Sequence, residues 1–235
     1  MTEIEVGPLF DTVFLHEAFH PIPTADRKTI LARCKRRHFR AGSYLYRRGD
    51  EADGIYIILT GGVRITGVSS DGREFILDLC GPGFWIGEIA VLEEGRRTLD
   101  ACAETDIDVL QLRVTDFEHL LTQLPSLSRA MLRLEAKRFR QVSDWAERTA
   151  TISMPALLAL RLTTLARRDP DFGKPGHMME LVLTQETLSH LAGSSRQRVN
   201  QILGDWQQRG LVAISSGRIQ LLDIALLDSI SLLTK

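Results

Sequence analysis

The spacing of apolar positions changes character along the chain, and each change predicts a different kind of element. Residues 24–34, TADRKTILARC, read as a short helix capped by Thr24 or Asp26. From Phe39 the apolar residues fall into short β-rich runs, IYIIL at 55–59 and VRITGV at 63–68, interrupted by RGD, TGG, SSDG and GPG. TLDACAETDIDVLQL (98–112) brings two more strands. Short strands this evenly punctuated predict a β-sandwich or small barrel. After Val114 the period becomes helical. Thr115 or Asp116 caps a short helix through Leu121, and Pro125 opens a long one running to about Arg148. Along it Leu127, Met131, Leu134, Arg138, Gln141 and Trp145 recur at alternating steps of three and four, a mostly apolar seam. A helix of that length beside a sandwich that needs little covering predicts pairing with a second copy of the chain. RTATISM (148–154) reads as a hinge between domains, and RDPDFGKPG (168–176) as a loop.

Beyond the hinge the pattern becomes more specific. Pro155 starts an amphipathic helix, ALLALRLTTLARR, and MMELVL follows as a strand. In TQETLSHLAGSSRQRVNQILGDWQQRGL, Thr184 caps a helix whose apolar face is Leu188, Leu191 and Ala192. Glu186 sits one place short of a capping box. Gly193 supplies the left-handed residue that closes that helix, and Ser194 or Ser195 caps a second one packed through Val199, Ile202 and Leu203. AISSGRIQLL (213–222) then makes a hairpin turning at Ser216–Gly217. Helix, glycine turn, capped second helix and hairpin together define a winged helix-turn-helix. The second helix exposes Arg196, Gln197, Arg198, Asn200 and Gln201, two cations and three amides with no acid among them. Arginine pairs with guanine and glutamine or asparagine with adenine in the major groove. Hydroxyls at the helix starts, Thr184 and Ser195, suit phosphate, and Arg218 sits on the wing. The candidate partner is double-stranded DNA.

Charge and cysteine content narrow the remaining choices. The formal net charge is −1, so nucleic acid must be met by a local patch and not by bulk charge. The three cysteines, Cys34, Cys80 and Cys102, are far apart and form no CxxC. That predicts a reducing compartment without a disulfide framework, zinc ribbon or iron–sulfur cluster. MTEIEVGPLF has no basic start or apolar core, which predicts no signal peptide, and no run of about 18 apolar residues predicts a membrane span. The expected location is cytoplasmic. HEAFH at 16–20 matches the HExxH spacing of zinc hydrolases, with two histidines on one helical face. Pro21 follows at once and biases His20 away from helix, so the segment is read as a polar arm with Phe14, Leu15 and Phe19 packing inward. No catalytic residue and no metal ligand is assigned. A DNA-binding architectural protein would not need so large a β domain.

FxxG at Phe39–Gly42, GDEADGIYIILTGGVRI at 49–65, GEIAV at 87–91, RRTLDA at 96–101 and GSSRQRVNQIL at 193–203 together resemble the Crp/Fnr family of bacterial transcription regulators, over nearly the whole chain. The resemblance implies an α+β fold: an N-terminal cyclic-nucleotide-binding-type β-roll (a jelly roll) over 1–124, a dimerisation helix over 125–148, and a C-terminal winged helix-turn-helix over 149–235. It implies a homodimer joined through residues 125–148, a two-fold-symmetric DNA site, RNA polymerase as a partner, and an effector in the roll that shifts the helices. Cyclic AMP and cyclic GMP are the candidate effectors. The family's ribose-binding carboxylate falls on Glu88, and its phosphate-binding arginine and hydroxyl fall on Arg97 and Thr98. Backbone amides near Gly87 and Ile89 assist. The paired base-reading positions of the long helix fall on Val142 and Ser143. Valine cannot hydrogen-bond adenine, which leaves Ser143. Leu99 stands where the family carries alanine and adds volume beside the phosphate. Gln197 stands where glutamate commonly reads cytosine, which predicts a different half-site. The family also contains haem- and redox-sensing regulators. His16, His20, His38 and His119 are the candidate haem ligands, and Cys34 is the one cysteine near the N-terminus.

Overall fold

The computed structural model describes residues 6–68, 72, 74–167, 169, 172, 174, 178–215 and 217–232. Most of the SSDG turn and of the 168–176 loop, Ser216 of the hairpin, and the side chains of Trp145 and Arg148 lie outside the described residues. The chain divides into two compact units, residues 1–140 and 141–235.

In the first unit, helices α1 (Val6–Val13) and α2 (Thr24–Arg33) precede eight strands. These are β1 (Lys35–Phe39), β2 (Tyr44–Tyr46), β3 (Gly54–Thr60), β4 (Val63–Val68), β5 (Glu74–Cys80), β6 (Trp85–Ile86), β7 (Asp100–Ala103) and β8 (Ile107–Arg113), with helix α3 (Glu88–Leu92) between β6 and β7. They form two antiparallel four-stranded sheets, β1-β8-β3-β6 and β2-β7-β4-β5. Alternation on β3 explains why IYIIL is apolar at every position. Tyr56 and Ile58 join Val63, Ile65 and Ala101 in the core between the sheets. Ile55 and Ile57 point the other way and pack with Trp85, Phe117 and Leu120 beneath the helices. A strand covered on both faces needs no polar side. Trp85 stacks on Phe19, with ring centroids 4.5 Å apart, and donates its indole N–H to Val13 O at 2.8 Å. That satisfies the one polar group of a fully buried indole.

Helix α4 (Val114–Gln123) is followed by α5 (Pro125–Thr151), which runs three residues past the expected end near Arg148 and so takes up much of the expected hinge 148–154. The apolar seam also divides differently from the expectation. Leu127, Met131 and Leu134 are buried in the core of their own unit. Among the described residues the large apolar side chains left open on α5 are Leu132, Phe139 and Val142, with Leu132 and Phe139 about three-quarters exposed. Positions 132, 139 and 142 recur at steps of seven and three, a second stripe offset from the first. α2 also departs from the expectation: Pro23 stands at its N-cap without a side-chain bond, and Asp26 accepts from Ser126 Oγ at 2.5 Å.

The second unit contains α6 (Met154–Ala166), β9 (Met179–Val182), α7 (Gln185–Ala192), α8 (Arg196–Gln208), β10 (Val212–Ser215), β11 (Arg218–Leu221) and α9 (Ile224–Ser231). Ser153 caps α6, with Pro155 in its first turn. The hairpin β10–β11 gains β9 as a third strand, order β10-β11-β9. Among the described residues no helix is long and apolar enough to cross a membrane.

Leu134→Ala removes a side chain that is 3% exposed and is expected to lower folding stability by about 2–5 kcal/mol. Leu132→Ala, on the open stripe, is expected to change it by no more than about 0.5 kcal/mol when the chain is kept dilute enough to be monomeric. Urea unfolding of the two variants checks the division of the helix faces.

Candidate functional site

Two groups of polar residues stand out, one in each unit. In the first unit α3 starts at Gly87, whose φ of 81° is left-handed. A Cβ there would also lie 2.5 Å from Arg97 Nη1, so glycine is required on both counts. Glu88 follows as the first residue of α3, 3% exposed. The turn after α3 closes with Glu93 and Gly95 amides on Ile89 and Ala90 carbonyls. Arg97, 2% exposed, returns beneath it. Arg97 Nη1 donates to Gly87 O at 2.5 Å, and Nη2 donates to Gly54 O at 2.6 Å and to Asp53 Oδ1 at 2.8 Å. The guanidinium lies 4.2 Å from the centroid of Tyr46. Asp53 also accepts from Tyr56 Oη at 2.5 Å and from Gln111 Nε2 at 2.8 Å, and Gln111 in turn accepts from Arg37 at 2.9 Å. Burial, then the Asp53 hydrogen bond, pushes the Tyr56 phenol well above its ordinary range.

Glu88 has a partner that the periodicity of the sequence assigned elsewhere. Arg138, counted in the apolar seam of the long helix, donates to Glu88 Oε1 and, at 2.5 Å, to Trp85 O. Burial opposes the charge on Arg138, but Glu88 and Glu135 outweigh it and hold the guanidinium above its ordinary value. A charged residue on an otherwise apolar face was the available signal. Two buried polar atoms of this site have no hydrogen-bond partner: Glu88 Oε2, an acceptor, and Arg97 Nε, a donor. Buried polar groups are rarely left so.

The other expected residues lie as follows. Thr98 is exposed and Ile89 is about half exposed, while Val142 and Ser143 are exposed on α5. Leu99 turns toward the roll core, where a Cβ on Gly67 would meet Leu99 Cδ2 at 2.9 Å and Phe75 Cζ at 2.6 Å. Its bulk is thus taken up over a glycine.

HEAFH does not form the α-helical face that HExxH chemistry needs. Glu17–Phe19 is a single 3-10 turn capped by His16 Nδ1, which accepts from Ala18 N at 3.1 Å, and His20 Nε2 bonds to Leu15 O at 3.1 Å. Among the described residues no three or more His, Cys, Asp or Glu are grouped to hold a metal ion. His38 Nδ1 sits 3.2 Å from Asp108. The Cys34 thiol is pushed up to about 12 by burial, then by the charge of Asp116.

The second group is the two-helix element. Thr184 caps α7 by accepting from Thr187 N at 3.0 Å, Gly193 closes it in the left-handed region with φ 59°, and Ser195 caps α8 by accepting from Arg198 N at 3.3 Å. Val199, Ile202, Leu203 and Trp206 bury one side of α8. Arg196, Gln197, Arg198, Asn200 and Gln201 stand on the other, all five exposed, with Arg198 Nη1 3.5 Å from Gln201 Oε1. The acid missing from that side of α8 comes from its neighbour, since Glu186 of α7 is ion-paired with Arg196. On the wing, Arg218 is ion-paired with Glu180 of β9.

A β-roll with a cluster of buried polar residues and a winged helix-turn-helix in one chain define a class of DNA-binding regulator. The Cyclic nucleotide-binding domain family matches residues 36–123, and the Crp-like helix-turn-helix domain family matches residues 156–230. The CRP-like cAMP-activated global transcriptional regulator of Mycobacterium tuberculosis is 29% identical over 188 residues, 79% of this chain and 83% of that protein. The Cyclic AMP receptor protein of Thermus thermophilus is 27% identical over 213 residues, 91% of this chain and 95% of that protein. A solved Crp/Fnr-family transcriptional regulator, also from Thermus thermophilus, superposes with a TM-score of 0.65 at 28% identity, covering 84% of this chain and 98% of that one. The chain belongs to the Crp/Fnr family of DNA-binding transcription regulators.

A half-buried thiol whose ionisation lies that high is unreactive near neutrality. Native protein at pH 8 is expected to leave Cys34, Cys80 and Cys102 unlabelled by a disulfide reagent, and all three are expected to react after unfolding. Rapid labelling of Cys34 in the native protein would contradict the burial described.

Proposed function

We propose that this chain is a homodimeric transcription regulator, and not an enzyme, controlled by a small effector held in the β-roll. The observation that carries the effector reading is the pair of unpartnered buried atoms, Glu88 Oε2 and Arg97 Nε. A ligand with a hydroxyl and an anionic oxygen satisfies both, since the carboxylate accepts the first and the guanidinium donates to the second. Cyclic AMP and cyclic GMP carry that combination, and relatives named as cAMP-activated support it. Thr98 and the amides near Gly87 and Ile89 complete the phosphate side. Ser143 is the base-facing hydroxyl, with Val142 beside it making no hydrogen bond to a base. Residues 1–124 form the sensor, 125–148 the dimer helix and 149–235 the DNA reader. The copies meet through the open stripe Leu132, Phe139 and Val142, because an exposed apolar line at heptad-like steps is what a coiled coil covers.

The proposed reader is α8 with its flanks. Thr184 and Ser195 lie toward phosphate. Arg196, Gln197, Arg198, Asn200 and Gln201 face base edges, and Arg218 extends the contact from the wing. A two-fold dimer reads a two-fold-symmetric duplex, in the cytoplasm, and works through RNA polymerase.

Calorimetric titration tests the effector. Wild-type chain is expected to bind cyclic AMP or cyclic GMP, and Glu88→Gln to weaken that binding by about ten- to a hundredfold, the scale of a charged hydrogen bond. No heat from either nucleotide at millimolar concentration would remove the cyclic-nucleotide reading.

Selection from random duplexes tests the reader. The expected half-site carries adenine where Gln197 reaches, and Gln197→Glu is expected to move that preference to cytosine. An unchanged half-site for the variant would take Gln197 out of the base-reading set.

A further inference from the structure

Two outward-facing arginines of the winged helix-turn-helix already hold counter-ions. Arg196, the first residue of α8, is ion-paired with Glu186 of α7, and Arg218 on β11 with Glu180 on β9. Side-chain exposures are 59% and 56% for the first pair and 55% and 43% for the second, so all four groups stand at the surface. The wing pair follows from register. Gln220 is opposite Glu180 and Arg218 opposite Val182, which places Arg218 and Glu180 diagonally on one face of the sheet. The α7–α8 pair depends on how the two helices cross. Of the three arginines in the proposed reader, two have carboxylates, and Arg198 contacts Gln201.

We propose that Glu186 and Glu180 are specificity-determining residues for DNA reading, acting as counter-ions that DNA must displace from Arg196 and Arg218. The inference rests on α8 and the wing being the DNA-facing surface. Non-specific binding is almost wholly the attraction of cations to phosphate. A carboxylate on each arginine cancels that attraction and adds repulsion from the backbone. At a correct site the Arg196 guanidinium moves to paired acceptors on a base and away from its carboxylate, which relieves the repulsion felt where arginine and carboxylate lie together against phosphate. The carboxylates therefore weaken binding everywhere, but least at the correct sequence. Exposed pairs of this kind contribute little to folding, so removing the charge leaves the domain intact.

The test uses the full chain and two labelled duplexes, one selected by the wild-type protein and one scrambled from it, followed by fluorescence anisotropy between about 50 and 200 mM salt. Glu186→Gln and Glu180→Gln are each expected to tighten binding to the scrambled duplex by about two- to fivefold. Each is expected to steepen the salt dependence by about one unit of slope. The ratio of selected to scrambled affinity is expected to fall at least about twofold, and Glu186→Asp, which keeps the charge, to hold the wild-type ratio. Wild-type selectivity with both variants unchanged, or with both duplexes tightened equally, overturns this inference alone. A wild-type chain that binds neither duplex overturns the DNA-reading proposal along with it.

Discussion

The first unit is organised around the guanidinium of Arg97. Its two terminal nitrogens reach Gly87, at the start of α3, and Asp53 and Gly54, at the start of β3. Residues far apart in the chain are thus fixed to one planar, permanently charged group. The arrangement extends outward through Asp53 to Tyr56 and Gln111, and from there to Arg37 on the edge strand. Burying a charge is costly unless its hydrogen bonds are met, and here both terminal nitrogens are held by the protein itself. Nε has no partner, and it is this atom, with Glu88 Oε2, that gives the site its chemical character.

The second organising feature is that α5 serves two masters on different sides. Leu127, Met131 and Leu134 complete the core under the β1-β8-β3-β6 sheet, and Arg138 carries the same side of the helix on to Glu88. A movement of α5 relative to the roll would therefore be felt at the carboxylate directly, through one ion pair. The other side of the helix carries apolar residues with no cover in the single chain. The Glu88 ion pair and the proposed subunit contact thus lie on different sides of the same helix.

Much of this was legible in the sequence because local rules were sufficient. The left-handed Gly193, the Thr184 and Ser195 caps, and the buried side of α8 follow from residue type and spacing, and they appear where the pattern put them. A β-sandwich or small barrel was legible as punctuation between short strands, IYIIL among them, and the burial of both faces of β3 is what the structure added. What was not legible depended on which neighbour a face meets. Helical periodicity shows that Leu127, Met131 and Leu134 share a side, but it cannot distinguish the roll from a second chain. The seam at 127, 131 and 134 is the more regular of the two on this helix and masks the stripe of Leu132, Phe139 and Val142. Likewise the carboxylate of Glu186 beside Arg196, and the several partners of Arg97, come from crossings of elements that no fixed spacing encodes.

Gly67, Phe75 and Leu99 divide a single volume between three segments of the roll. A methyl group at position 67 would strike both of the others, so the larger residue at 99 is accommodated only while 67 stays bare. Leu99→Ala alone would open a void beside a bare glycine, and Gly67→Ala alone would press on Phe75 and Leu99, so the two changes offset each other when they are made together.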